Sequence, residues 1–250
     1  MIDVSFDFTT DTAGYWDGFW KRRDGLGGGG ADPDSASPTL QKYHQILWSK
    51  PLPCGKTMQL KAGTGAGEDY LTWDHFRFGS DSIIVSLRYQ RYRYMIDQVK
   101  EHLPDYRAYY ECFIREGYTI GGSIIFPKHR NSINQQKGTN RLISDRWDLT
   151  LECIRRFYIG EDSPLYETLL KDKGFFDLFV DFKGYVDFFL LQDAVSDDCS
   201  TVRIWCGNCD FKEDALPKTV EEYFRFINEE LVFLRKRNQR IKMLDMMKSL

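Results

Sequence analysis

The chain has no run of about 18 consecutive apolar residues, the length a helix needs to cross a bilayer, and no basic segment followed by an apolar run at its amino end. Neither a membrane span nor a secretory leader is expected, and the expected compartment is the cytosol. Histidine is scarce, at four in 250 residues, and no His-Glu-x-x-His pair occurs. A nucleophile elbow and a complete Walker loop are also missing, which excludes the common hydrolase and kinase signatures. Charge of one sign is not in excess: 34 Lys and Arg against 37 Asp and Glu leave a net −3. That argues against a surface wholly devoted to nucleic acid and leaves room for a local basic patch. Six cysteines, at 54, 112, 153, 199, 206 and 209, are scattered along the chain and suit reduced thiols better than a disulfide scaffold.

Aromatic residues are abundant, 15% of the chain with 18 Phe, 14 Tyr and 6 Trp, within an otherwise ordinary 42% hydrophobic and 28% charged composition. A bulky core that uses many Tyr and Trp hydrogen bonds is expected, in a chain long enough for one large domain or two small ones.

Unusual chemistry concentrates between Gly117 and Tyr158. The apolar, β-branched run Tyr118–Phe126 ends at Pro127 and reads as a buried strand, because proline cannot donate to the next rung. The segment from Lys128 to Arg141 carries Lys128, Arg130, Lys137 and Arg141 and no acid, with Asn131, Ser132, Asn134, Gln135, Gln136, Gly138 and Asn140 between them. It reads as a loop leading to a helix that opens near Asp145. A strand, a basic polar loop and a helix start can form a phosphate seat, with Arg130, Asn134, Gln135, Lys137 and Arg141 as the phosphate-binding candidates. Asp145, Asp148 and Glu152, spaced by three and four, should align on that helix. As catalytic candidates they would supply a general base or hold a divalent metal. They can equally pair with Arg146, Arg155 and Arg156 on a solvated face, and Asp145 and Asp148 can cap the helix. The residues identify no cofactor.

Along the rest of the chain, Met1–Phe8 alternates apolar and polar as a half-buried strand does, and Ala13–Lys21 packs Tyr15, Trp16, Phe19 and Trp20 into a helical plug. Residues 22–37 include four successive glycines and read as a flexible loop. Ser37 and Pro38 start a helix burying Leu40, Tyr43, His44, Leu47 and Trp48, with His44 a hydrogen-bonded core residue. Strands are expected at Thr57–Lys61 and Tyr70–Phe78, around a glycine turn through Gly63, Gly65 and Gly67 that lacks the following helix a phosphate loop requires. Ser80 and Asp81 should cap a helix on which Arg88, Arg91 and Arg93 alternate with Tyr89, Tyr92 and Tyr94. That pairing suits single-stranded nucleic acid, although neighbours on a helix diverge.

A helix is expected at Tyr106–Arg115, another from Ser163-Pro164, and two short buried helices in Gly174–Val195. There Asp181, Asp187 and Asp193 need partners, expected from the preceding arginines. Thr201–Cys206 reads as a strand. Cys206-Gly-Asn-Cys209, with Cys199, lacks the second pair or nearby histidine of a zinc site. Thr219 and Glu222 form a capping box for a long helix burying Tyr223, Ile227, Leu231 and Leu234, whose basic end, Arg235–Lys242, suits the helix dipole.

Several strings matter together: Asp32-Pro-Asp-Ser35, Leu47-Trp-Ser-Lys-Pro-Leu-Pro53, Phe78-Gly-Ser-Asp-Ser82, Ile120-Gly-Gly122 with Ile125-Phe-Pro127, Ser132-Ile-Asn-Gln135, and Asp145-Arg-Trp-Asp-Leu-Thr-Leu-Glu-Cys-Ile-Arg-Arg156. On these the chain resembles, over nearly its whole length, a bacterial protein family known as a domain of unknown function. The resemblance implies a bacterial protein of one domain and transfers no activity, cofactor or catalytic residue.

The expectation is a single α+β domain over residues 1–250, with a mostly antiparallel sheet from the N-terminal half covered by C-terminal helices. The expected function is a nucleotide- or nucleic-acid-handling protein, with nucleotide or RNA as ligand, and enzymes of the toxin or phage-defence type are included in that class. The alternative is a non-catalytic protein-interaction module that binds a protein partner through its aromatic-rich surface.

Overall fold

Local signals set several helix starts. In the computed structural model, which describes residues 1–23, 30–63, 70–84 and 93–247, α1 (Tyr15–Arg23) carries the aromatic run, and α2 (Pro33–Ala36) is capped by Asp32, whose carboxylate accepts from the Asp34 amide. In α3 (Pro38–Trp48) the Ser37 hydroxyl accepts from the Leu40 amide at 3.1 Å, the cap the sequence predicts. Then come β1 (Lys61–Ala62), β2 (Leu71–Trp73), β3 (Phe76–Ser82), α4 (Arg93–His102), α5 (Tyr106–Gly117) and a 3-10 turn, Ile120–Gly122. Next are β4 (Ser123–Pro127), α6 (Ile133–Thr139), α7 (Trp147–Tyr158), α8 (Tyr166–Lys171), α9 (Lys173–Phe176), α10 (Phe182–Phe189) and the long α11 (Val220–Met247). The layout is α+β, as expected.

The chain groups into two compact units. The first comprises residues 1–40, 82–123 and 216–250. Its aromatic plug forms as predicted, with Tyr15 against Tyr118 at 5.4 Å and Phe19 stacked on Tyr110 at 5.8 Å between ring centroids. The Thr219 half of the predicted capping box also forms, since Thr219 Oγ1 accepts from the Glu222 amide, while the Glu222 carboxylate reaches one residue past the cap to accept from the Lys218 amide. Residues 1–8 differ from expectation. They form turns, because Asp3 binds the amide and hydroxyl of Ser5, and Asp7 those of Thr9. Such short side-chain bonds compete with a ladder.

The second unit, residues 41–81 and 124–215, holds the sheet, in the order β1-β2-β3-β4. The predicted strand Tyr70–Phe78 is in fact a hairpin: Leu71 pairs with Phe78 and Trp73 with Phe76 across Asp74-His75. Asp74 has φ 53°, a left-handed conformation that aspartate tolerates. Ser80 and Asp81 belong to β3 and are not helix caps. Phe175 of α9 meets Phe76 and Phe78 of β3, and Trp147 of α7 meets Phe126 of β4, so the sheet packs under later helices. His44 is a core residue bonded to the Tyr70 hydroxyl at 3.1 Å.

Two short buried helices, α9 and α10, fill the phenylalanine-rich stretch as predicted. Two of its acids are partnered locally and not by the preceding arginines: Asp181 caps α10 through the Gly184 amide, and Asp187 pairs with Lys183. Residues 201–206 make only an isolated bridge, Val195 with Val202, because the Trp205 amide turns to Asp148. Most of the tetraglycine stretch, the Gly65 and Gly67 positions, and Arg88, Tyr89, Arg91 and Tyr92 lie outside the described residues.

Candidate functional site

The basic segment begins where the sheet ends. Lys128 donates its amide to the Arg77 carbonyl at 2.8 Å, the last rung between β3 and β4. Beyond it the chain turns at Asn131, with φ 67°, and enters α6 where a loop is expected. Gln135 reaches back across the start of the helix to accept from the Asn131 amide at 3.0 Å, while Ser132 at the cap makes no side-chain bond to the first turn.

The five phosphate candidates take different positions. Arg130, Gln135 and Arg141 are exposed. Asn134 is half-buried and donates to the Ser80 carbonyl at 3.1 Å. Lys137 is 2% exposed and pairs with Asp81 at 3.1 Å and with Asp145. Burial alone would lower its pKa, but the two carboxylates raise it well above the ordinary lysine range. Its charge is already neutralised twice. Arg141 lies 3.9 Å from Asp214, while Lys128 and Arg130 have no acidic partner in ion-pair range among the described residues.

The three carboxylates do not share one face. Asp145 precedes α7, with φ 65°, and its amide donates to the Lys137 carbonyl. Asp148 is fully buried against Arg146. That guanidinium also donates to the Ala215 and Cys206 carbonyls at 2.7 and 2.8 Å, and Asp148 accepts from the Trp205 amide at 2.8 Å. Glu152 accepts twice from Arg155 and once from Arg156, each at 2.8 Å. Burial pushes the Glu152 carboxyl up, but these bonds outweigh it and hold the group below the ordinary value. Each acid thus has its own cation. No group of three His, Cys, Asp or Glu side chains suited to a metal exists among the described residues.

Two arrangements were not anticipated. The His129 ring lies between the Arg130 carbonyl, 2.8 Å from Nδ1, and the Asp172 carboxylate, 3.0 Å from Nε2. In the first unit, Arg237 is fully buried and donates to the Gly121 and Ser123 carbonyls at 2.8 Å, while the adjacent Asn238 accepts from the Gly121 amide. The period of α11 could have found Arg237, which falls on the stripe through Tyr223, Ile227, Leu234 and Ile241. Nothing local marks His129, whose partner is 43 residues away. The first unit also has a cavity of about 780 Å³ between residues 1–5 and the Lys242–Met246 end of α11. Among the described residues no helix is long and apolar enough to cross a membrane.

Comparison with known proteins places residues 2–241 under one family model, the family of unknown function DUF6994, and the chain belongs to that family. No curated protein and no solved structure matches the chain.

Proposed function

We propose that this member of the family binds a phosphate-bearing ligand, a nucleotide or a single strand of nucleic acid, through the exposed cations of its Lys128–Arg141 segment, in a bacterial cytosol. The observation that carries the reading is the state of Lys128 and Arg130: both are exposed, neither has an acidic partner among the described residues, and the amide-bearing Asn131 and Gln135 stand beside them in sequence. Cations on a surface attract phosphate, and neighbouring amides add direction. The reading is one of binding rather than of toxin-like hydrolysis. A general base needs an oxygen free to take a proton, and Asp145, Asp148 and Glu152 are each engaged by a cation.

Fluorescence anisotropy with a labelled single-stranded RNA, and with a labelled nucleotide, tests it at two salt concentrations. Binding is expected to weaken as salt rises, and each lost phosphate contact should reduce the logarithmic salt slope by about 0.7 for a single strand. Combined Lys128→Ala, Arg130→Ala and Arg141→Ala should abolish binding without lowering Tm. No binding at low salt, or full binding by the triple variant, overturns the reading.

The alternative, a protein-interaction module, is favoured by one observation: Met243, Met246 and Met247 stand more than half exposed on the end of α11 beside the cavity. Exposed methionines adapt to apolar partners. Met246→Ser with Met247→Ser leaves anisotropy unchanged under the first reading.

A further inference from the structure

His129 occupies the point where the sheet stops guiding the chain. Lys128 makes the last rung, and His129 is the first residue past it. Its Nδ1 faces the Arg130 carbonyl and its Nε2 faces both Asp172 oxygens, at 3.0 and 3.2 Å. All of these partners are acceptors. A neutral imidazole has one N–H and one lone pair, so in that form one nitrogen would meet an oxygen with no proton between them. Only the imidazolium satisfies both sides.

Asp172 joins two helices: it follows α8 and precedes α9, whose Phe175 packs on the sheet. Asp172 is 8% exposed, and the lysines on either side of it, Lys171 and Lys173, face solvent.

We propose that His129 is a proton-operated clamp: as an imidazolium it ties the start of the Lys128–Arg141 segment to the α8–α9 junction, and on losing its proton it releases that segment. The clamp stands on the geometry of the second unit, whether or not a phosphate ligand binds there.

The charged groups acting on the ring are Asp172, which favours the proton, and Lys171, which opposes it. On its own segment the neighbouring cations Lys128 and Arg130 are exposed. Partial burial works against the charged ring, but the Arg130 carbonyl and Asp172 carboxylate outweigh it and raise the pKa above the ordinary imidazole value. Burial also raises the Asp172 carboxyl, against the pull of His129. Both partners are therefore charged only between the raised carboxyl value and the raised imidazole value. A histidine with a raised folded pKa stabilises fully below its unfolded value of about 6.5, and that contribution disappears as pH rises through the folded value. Protonation of Asp172 opens the clamp at the acid end.

An NMR titration of the imidazole resonances from about pH 5 to 9, with amide exchange followed at each step, tests the proposal. The His129→Gln variant identifies the signal among the four histidines. His129 should titrate above about 6.5. Amide exchange at residues 130–132 and 172–176 should rise several-fold through that transition, beyond the base-catalysed increase shared by the rest of the chain. Asp172→Asn should lower the His129 pKa. A wild-type His129 that titrates at or below the ordinary value, or exchange at those amides that ignores the transition, overturns the clamp even where a variant fails to fold.

Discussion

Lys137 shows how one residue can look like a ligand in sequence and act as a brace in the fold. It stands in an acid-free basic segment, yet its ammonium is buried between Asp81 of β3 and Asp145 ahead of α7. Ser144 and Asp145 both have positive φ, at 49° and 65°, a conformation that costs a side-chain-bearing residue on the order of 1–2 kcal/mol. The Lys137 ammonium and its carbonyl, which accepts from the Asp145 amide, hold that turn. Lys137→Met keeps the aliphatic stem and leaves two carboxylates facing each other. Folding should weaken by roughly 3–5 kcal/mol at neutral pH. Part of the loss should return on acidification, because half-buried carboxylates that have lost a shared cation bind protons more readily in the folded than in the unfolded state. Urea denaturation of variant and wild type at neutral and mildly acid pH measures both effects, and a variant equally weakened at both would deny Lys137 this role.

At the scale of elements, Arg146 and Asp148 explain how a stretch with almost no ladder of its own keeps a shape. Residues 203–215 contain no helix or strand, and the buried guanidinium at the head of α7 binds the Cys206 and Ala215 carbonyls while Asp148 takes the Trp205 amide. The planar five-donor fork makes four bonds here, two to the Asp148 carboxylate and one to each carbonyl, and a lysine has only three N–H groups on a single atom. Arg146→Lys, although it keeps the charge, should cost roughly 3 kcal/mol and open residues 206–215 to protease. Limited proteolysis with mass mapping would read this directly, and unchanged cleavage would show that the fork is dispensable. Glu152 belongs to the same helix, and its two arginines, one of which also donates to the Cys209 carbonyl at 2.9 Å, continue the staple by another turn.

At the scale of the molecule, the single family model covering residues 2–241 spans both compact units. The first is assembled from three separate stretches, so its contacts join distant parts of the chain: the Ile2 amide reaches Asp245, and Arg237 reaches the Gly121 turn. The second carries its own aromatic core, in which Phe175, Phe179 and Phe189 meet at centroid distances of 5.1 to 6.4 Å. Thiol reactivity reports whether these cores are closed. Cys54 and Cys112 are exposed, whereas Cys153 is buried and burial pushes its thiol up to about 12. A brief iodoacetamide pulse at mildly alkaline pH, followed by peptide mapping, should label Cys54 and Cys112 first and reach Cys153 only after unfolding. Early labelling of Cys153 would mean that the core of the second unit opens readily.

What the chain determined locally was legible in advance. The Ser37 and Thr219 caps, the helical stripes, the aromatic plug, the buried His44 and the α+β class follow from bonds and periodicities within a few residues of each other. Where a short-range signal competed with another, the pattern misled: Asp3 and Asp7 turned an alternating segment into side-chain-bonded turns, and the segment that reads as a polar loop contains the helix α6. Only tertiary structure decided which charges face solvent. Lys137, Arg146, Asp148, Glu152 and Arg237 are buried because an oppositely charged or carbonyl partner meets each of them. The arginines that pair with Asp148 and Glu152 stand within four residues of them, as the sequence allowed, whereas Asp81 and the Cys206, Ala215, Gly121 and Ser123 carbonyls lie far away in sequence. Desolvating a charge is tolerable only with such a partner in place, and the partner's position is a property of the folded chain.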